Sequence, residues 1–442
     1  MQILKFISYS LGNFANTIAY EVFQNRIKFY YVDVLGVSGA VIGTLWAIYG
    51  LWNAINDPLM GQISDRTRSR YGRRIPYVAF GAIPLGISFY FLWAPPTHSP
   101  FILAAYFLVI LFIFDTLYSL TIVAYNALYI TVAPTPPERI NLSTVREIFS
   151  TIGSLLAFVL APILAEKVGY LAMGAILGVV ISAGYLISTI GIKEKPVSAN
   201  EKSMGIFESL KAVLANKPFR WFLGANMAKE YIWVALAGQI PFWRKFALNI
   251  QGDIRFLGLN LSGGDAEAVL LGIPLILTIP VIFIWRPIIA NLGYRKAWIL
   301  GAFAFIPGLL IMTFASNMTT GLIGTLLIVP GLALSLLISY PVISEVIDDD
   351  AKHVGVSREG LFFGMNNGIT KLSFSAEGVF FGFITGLTGF VAGSDVQTEF
   401  AIWGIRFLIG IMPIIACLII AFCMWRYPLG RETFAKKRSS QE

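Results

Sequence analysis

Long apolar runs recur along the whole chain and limit what it can fold into. A helix needs about 20 apolar residues to cross the hydrocarbon core of a membrane, and it satisfies its own backbone hydrogen bonds there. Hydrophobic residues make up 56% of the chain and charged residues only 13%, more apolar surface than a water-soluble core can bury. We therefore predict an all-α membrane protein with twelve transmembrane helices, spans 1 to 12, at 7–35, 39–62, 75–95, 101–131, 143–165, 169–192, 218–247, 266–287, 296–315, 319–344, 360–390 and 399–425.

The loops between these runs differ in charge, and the difference predicts an orientation. The loop after span 2 holds five arginines between positions 66 and 74, and every second loop after it is also basic. The alternate loops are nearly free of Lys and Arg, apart from Lys167 and the segment 244–255. Basic loops stay in the cytoplasm, so both termini are expected there, in a bacterial or archaeal cytoplasmic membrane. The net charge of +8 belongs to this pattern and indicates no nucleic-acid partner.

A polar segment divides the chain into two halves of six spans. Residues 193–217 are rich in both charges and predict a cytoplasmic linker between a bundle at 1–192 and a bundle at 218–442 that ends in a basic tail. The halves share a faint repeat, because a basic turn opens a new helix after span 2, at Gly72-Arg73-Arg74, and after span 8, at Gly293-Tyr294-Arg295. Two pseudo-symmetric six-helix bundles that meet at a midplane site are typical of secondary transporters.

Several motifs resemble one transporter family. They are Tyr30-Tyr31-Val32-Asp33, Trp52-Asn53-Ala54-Ile55-Asn56-Asp57-Pro58, Thr67-Arg68-Ser69-Arg70, Glu138-Arg139 with Arg146, and Glu345 to Asp348 with Arg358 and Lys371. The chain resembles the glycoside–pentoside–hexuronide:cation symporters of the major facilitator superfamily over nearly its whole length. The resemblance implies the major facilitator fold and alternating access, with a solute moved together with a cation.

Asp57 is the candidate for the cation. A carboxylate inside a membrane is costly and usually faces a cavity or a partner, and it suits reversible protonation. The resemblance makes Asp57 the cation-binding acid, with Asn53 one turn earlier on the same helix face. Sodium-coupled members carry a second Asp at the position of Asn53, so we expect H⁺ rather than Na⁺ as the coupling ion and no metal other than a transported sodium. The alternative is that Asp57 is only a helix-end acid.

Six residues are candidates for the solute site: Thr17, Glu21, Tyr125, Asn126, Arg146 and Lys371. Thr17 belongs to a polar stripe on span 1, which lipid would not tolerate. The galactoside-carrying members have sugar-binding aspartates at Thr17 and Ile122, so this chain lacks that acid pair. The resemblance places Arg146 and Lys371 in the cavity, which predicts an anionic solute, because Arg binds such groups in a bidentate manner.

Internal neutralisation is the alternative to an anionic solute. Glu21, Glu147 or Glu377 would then balance the cavity cations, or Glu21 would pair with Arg26 or Lys28. The adjacent Lys229 and Glu230 in span 7 point about 100° apart on a helix, so we expect separate partners for them.

Charged residues at the predicted cytoplasmic ends form a candidate gate. We expect them to make ion pairs between helices that break and re-form as the two bundles rock. The alternative is that they are solvated loop charges. The gate residues are Asp65, Arg66, Arg70, Arg73, Arg74, Glu138, Arg139, Asp348 and Arg358.

The sequence thus predicts a cation-coupled symporter of a sugar or sugar-derived solute, monomeric and surrounded by lipid. It shows no phosphate loop, metal cluster or nucleophile–base set, so we expect no cofactor and no enzymatic activity. One alternative is a transporter of lysolipids or other amphiphiles with the same fold, expected if an apolar lateral gap replaces a deep polar cavity. Another is a membrane receptor or scaffold that transports nothing.

Overall fold

The computed structural model describes residues 2–66, 69, 72, 74–97, 99–192, 194, 213–354 and 359–429. In the first half, span 1 is the helix Gln2–Phe29 with a π-helical turn at Tyr30–Val34. Span 2 is Gly39–Arg66, span 3 is Ile75–Phe91, and span 4 is Pro100–Ala127 followed by the short helix Tyr129–Val132. Span 5 joins Pro136–Leu155, a π-helical turn at Leu156–Leu160 and Ala161–Lys167, and span 6 is Gly169–Ser188.

The second half has longer and more interrupted helices. Span 7 is Lys217–Phe242 with a π-helical turn at Trp243–Ala247. Spans 8 and 9 form Gly263–Phe314, which turns at Gly293, and span 10 is Met318–Leu327 with Val329–Val354. Span 11 is Glu359–Thr370 with Leu372–Leu387. Span 12 joins Glu399–Arg406, a π-helical turn at Phe407–Ile411 and Met412–Arg426.

The predicted runs agree with these helices except at some ends. Spans 1 and 5 begin at Gln2 and Pro136, several residues before their apolar runs, because polar residues continue both helices beyond the apolar part. The sequence did not indicate the antiparallel hairpin of Ile254–Phe256 and Leu259–Leu261, in the loop between spans 7 and 8. We call the face that carries both ends of the described chain the terminal face, and the opposite face, with this hairpin, the distal face.

Six helices in the described part of the chain have the length and composition to cross a membrane. They carry spans 4, 5, 6, 10 and 12, and one helix of 52 residues carries spans 8 and 9. Polar and charged residues interrupt spans 1, 2 and 7, which are not among the six. Such residues in a membrane helix face the protein interior or a water-filled cavity. We therefore expect spans 1, 2 and 7 to surround the site that binds the cation and the solute.

Spans 2 and 11 meet along a seam of small residues, which brings the two halves together. A Cβ atom on Gly378 would lie 2.7 Å from the backbone of both Ala47 and Gly43, and one on Gly43 would overlap the backbone of Gly382. The Ser375 hydroxyl donates to the Ala47 carbonyl at 2.9 Å. Glycines allow two helix backbones to approach this closely in a membrane. The seam therefore fixes span 11 against the face of span 2 that carries Asp57.

Candidate cation and solute site

Asp57 lies at the interface between the two halves and pairs with Lys371 of span 11. The Lys371 ammonium is 2.6 Å from Oδ2 of Asp57 and 2.7 Å from Oδ1 of Asn53. The other Asp57 oxygen accepts a hydrogen bond of 2.5 Å from the Ser119 hydroxyl of span 4. The two predicted cation ligands thus lie together, as their spacing of one helical turn requires. The ammonium of Lys371, from the second half, binds an oxygen of each of these two residues.

Asp115 of span 4 is a second acid at this site, and sequence reasoning missed it. Its side chain is only 2% exposed. The Asn56 amide donates to its Oδ2 at 2.8 Å and to its backbone carbonyl at 2.9 Å, and the Tyr49 hydroxyl donates to Oδ1 at 3.3 Å. The available signal was a lone carboxylate in a 28-residue apolar helix, which by itself indicates a functional position.

Arg146 of span 5 is held by neutral groups. Its Nη2 donates to Oδ1 of both Asn13 and Asn126, at 3.0 Å each. The rings of Tyr9, Tyr125 and Tyr129 lie 5.4–5.8 Å from the guanidinium carbon, within cation–π range. Within the described residues no carboxylate makes an ion pair with Arg146, and its Nε has no hydrogen-bond partner.

The remaining solute candidates are arranged around Arg146. Tyr125 is fully buried, stacks on Tyr9 at 4.4 Å and donates to its carbonyl, so it forms a wall of the site. Asn126 is exposed. The Thr17 hydroxyl donates to the Asn13 carbonyl at 2.9 Å and lies 3.0 Å from the Ser150 hydroxyl.

Glu21 is 8% exposed, and its Oε2 has no hydrogen-bond partner in the described part of the chain. It does not pair with Arg26 or Lys28. Arg26 binds Glu267, and Lys28 binds Glu377, which also accepts from Gln239 at 2.8 Å. Glu377 is thereby engaged away from Arg146, so these contacts do not support neutralisation of Arg146 by that acid.

The expectation of separate partners for Lys229 and Glu230 was wrong. Their side chains bend around the helix and meet at 2.7 Å. The Lys229 ammonium also donates to the Ser339 hydroxyl of span 10 at 3.0 Å. That hydroxyl donates to Asn226, whose amide donates to Asn366 of span 11 at 2.9 Å. Spans 7, 10 and 11 thus share one polar cluster.

The candidate gate is described only in part. Arg70, Arg73 and Arg358 lie outside the described residues, and the side chains of Asp65, Arg66 and Arg139 are likewise not described. Arg74 donates from Nη1 to the Ala127 carbonyl at 2.6 Å, and Asp348 is exposed near the end of span 10. Glu138 accepts from the Thr135 backbone at 3.1 Å and from Gln2, and the Thr135 backbone bond lowers the pKa of Glu138.

The distal face carries ion pairs between the halves that the sequence did not reveal. Glu267 of span 8 is fully buried and binds Arg26 at 2.6 Å and Arg244 at 3.3 Å. Lys245 binds Asp33 at 2.7 Å and Asp395 at 2.8 Å. Together with Lys28–Glu377 these pairs join span 1 to spans 7, 8 and 11. The distal face is closed in this structure.

Comparison with known proteins identifies the family. The model of the MFS/sugar transport protein family matches residues 8–431, so the chain belongs to this family. It is 24% identical to the isoprimeverose transporter of Lactiplantibacillus pentosus (96% of this chain, 88% of that protein) and 26% identical to the glucuronide carrier protein homolog of Escherichia coli (97% and 93%). It is 21% identical to sodium-dependent lysophosphatidylcholine symporter 1 of Xenopus tropicalis (96% and 84%).

A solved structure shares the fold. The bacterial homologue of the human drug peptide transporters PepT1 and PepT2 superposes with a TM-score of 0.69 at 14% identity, over 99% of this chain and 100% of that one. The chain is therefore a multi-pass membrane transporter with the major facilitator fold. The family and these relatives are transporters rather than enzymes. The predictions of family and fold are confirmed, and so is transport at this general level.

Proposed function

We propose that the protein is a proton-coupled symporter of an anionic sugar, such as a hexuronate or its glycoside. The observation that carries this is Arg146, whose described partners are two amides and three aromatic rings. A guanidinium held this way in a membrane keeps a net positive charge that a solute carboxylate or phosphate can match with two parallel hydrogen bonds. The names of the two bacterial relatives support a sugar as the rest of the solute.

The coupling ion acts at Asp57 and Lys371, and Asp115 is the second acid of the same site. A proton on Asp57 removes the charge that holds Lys371, and this breaks the ion pair between spans 2 and 11. Sodium would instead have to displace an ammonium 2.6 Å from the carboxylate, and Asn53 would offer it one oxygen but no charge. The bundles at 1–192 and 218–442 then rock about the site. The terminal face is oriented towards the cytoplasm, and the transport cycle needs no cofactor. Coupling requires that the ions and the solute favour one state over the other.

Uptake into proteoliposomes tests this proposal. We expect accumulation of labelled glucuronate driven by a pH gradient and not by a sodium gradient, with competition by other uronates and none by methyl glucoside. Asp57→Asn abolishes accumulation, and Asp253→Asn, at an exposed loop acid, is the matched control. Accumulation that persists in Asp57→Asn, or competition by neutral glycosides alone, contradicts the proposal.

An apolar cavity favours a second candidate, a transporter of amphiphiles. The cavity lies between spans 5, 7, 8 and 10 and is partly open. Phe158, Trp233, Leu236, Leu270, Pro274 and Leu332 are among its lining residues. One relative is named as a lysophosphatidylcholine symporter, which agrees with such a ligand. Uptake of a labelled lysolipid in the same proteoliposomes, with no uptake of glucuronate, would establish this candidate over the first.

A further inference from the structure

The hairpin of the distal face has an apolar face and a polar face. Its strands Ile254–Phe256 and Leu259–Leu261 pair in antiparallel register. Cross-strand partners lie on the same face of a hairpin, and successive residues lie on opposite faces. Four apolar residues therefore share one face: Ile254, Phe256, Leu259 and Leu261. The opposite face carries Arg255 and Asn260, which are both exposed.

The described chain covers this apolar face along one edge only. On the first strand, Ile254 and Phe256 are half-buried and pack against the hydrophobic core. On the second strand, Leu259 is 63% exposed, and Leu257 in the turn is 85% exposed. The apolar face thus begins on the protein and continues past it at Leu257 and Leu259.

The turn of the hairpin carries a leucine where a turn in water favours a small polar residue. Leu257 and Gly258 have φ of 50° and 83°. Two-residue turns with positive φ at both positions favour Asn-Gly. A leucine in this conformation is strained, and it also exposes an apolar side chain. Asn would avoid both costs, so the leucine indicates a contact of the turn with an apolar phase.

The length of span 8 gives the height of the hairpin in the bilayer. The helix from Gly263 to the turn at Gly293 extends over about 45 Å, which equals the thickness of a bilayer with its headgroups, about 40–45 Å. Ser262, the cap of this helix, therefore lies at the level of the distal headgroups. Leu257 precedes Ser262 by five residues and is at most about 17 Å from it. The turn is thus within reach of the membrane surface.

We infer that Leu257 and Leu259 insert into the headgroup region of the distal leaflet, with Arg255 and Asn260 towards water. Segments that lie on a membrane have this separation of apolar and polar faces. Lipid is the partner because the hairpin continues directly into span 8, whose Ile276 is 51% exposed on a membrane-spanning helix. The hairpin then fastens the distal end of span 8 to the bilayer. This contact does not depend on which solute is transported.

Fluorescence quenching on the full-length protein in phosphatidylcholine liposomes tests this contact. Single bimane labels are placed with Leu257→Cys, Leu259→Cys and Asn260→Cys, and the unsubstituted protein, whose cysteines are buried, gives the background. We expect lipid brominated near the headgroup end of its acyl chains to quench the labels at 257 and 259, and aqueous iodide to spare them. The label at 260 should show the reverse. Positions 259 and 260 are matched, because they are neighbours on one strand and differ in face.

The other possible results overturn the inference. Equal quenching by iodide at 259 and 260 would place the hairpin in water. Protection of the 259 label from both quenchers would place a protein surface there, such as a second copy of the chain. Leu257→Asn supplies the residue that the turn prefers, so it keeps the hairpin. It should shift insertion of the 259 label about tenfold towards water, the effect of one buried leucine side chain, and unchanged quenching in this variant would exclude a role for Leu257.

Discussion

Replacement of Glu267 by Gln is expected to open the distal face. In the closed state Glu267 is the buried counter-charge of Arg26 and Arg244, at 2.6 Å and 3.3 Å. The Glu267→Gln variant leaves two buried guanidinium groups without this carboxylate, and the loss of one partner of a buried ion pair costs about 3–5 kcal/mol. Water solvates both arginines once the face opens, so the open state bears little of this cost. A difference of about 3 kcal/mol favours the open state roughly a hundredfold.

Distances between spin labels at positions 168 and 257 measure this shift. Val168 and Leu257 are 50% and 85% exposed, on opposite halves of the distal face, and the native Cys417 and Cys423 are buried. We expect a new, longer distance in Glu267→Gln and a smaller shift of the same sign in Lys245→Gln, which removes the bridge to Asp33 and Asp395. Glu399→Gln, at an exposed acid, is the control. A distance distribution unchanged from wild type in both variants, with melting temperatures preserved, refutes the reasoning.

Three further predictions concern the interior. Asp115→Asn is expected to abolish pH-driven accumulation, because it removes a protonatable group that lies 2.8 Å from the Asn56 amide. Solute counterflow should remain, because the variant leaves Arg146 in place. Loss of both activities would point to a structural role for Asp115. Lys371→Gln removes the ion pair that protonation of Asp57 breaks, so the pH gradient should no longer drive accumulation and solute uptake should only equilibrate. Uptake at fixed solute concentration, with and without the gradient, measures this, and an unchanged dependence on the gradient would contradict it. Gly378→Ala is expected to destabilise the protein by about 1–3 kcal/mol in a thermal melt, because the new Cβ atom would lie 2.7 Å from backbone atoms of span 2. Gly386→Ala is the tolerated control, because its Cβ atom would lie 3.5 Å from Ala40. Equal melting temperatures of the two variants would argue against the seam.

Hydrophobicity along each helix was enough to predict the spans, whereas contacts between helices were missed. The apolar runs located the spans, since apolar length is a local property. Asp115 was overlooked because its apolar neighbours dominate the run, and its role depends on Asn56 of another span. The pairs of Arg26 and Lys28 depend on residues 241 and 349 positions away, which no local pattern specifies. Lys229 and Glu230 were misjudged because ideal helix geometry omits the reach of long side chains.

The chain passes from span 8 to span 9 without a flexible loop. A single left-handed residue, Gly293 with φ of 77°, reverses its direction, and such a conformation strains residues that have a side chain. Two residues later, Arg295 donates to the carbonyls of Met424, at 2.9 Å, and Trp425 at the end of span 12. The turn at Gly293 and the hydrogen bonds of Arg295 join spans 8, 9 and 12 into one unit. We expect a displacement of span 8 at Glu267 to reach spans 9 and 12, because Gly293 is the one residue between Gly263 and Phe314 that leaves the helical conformation.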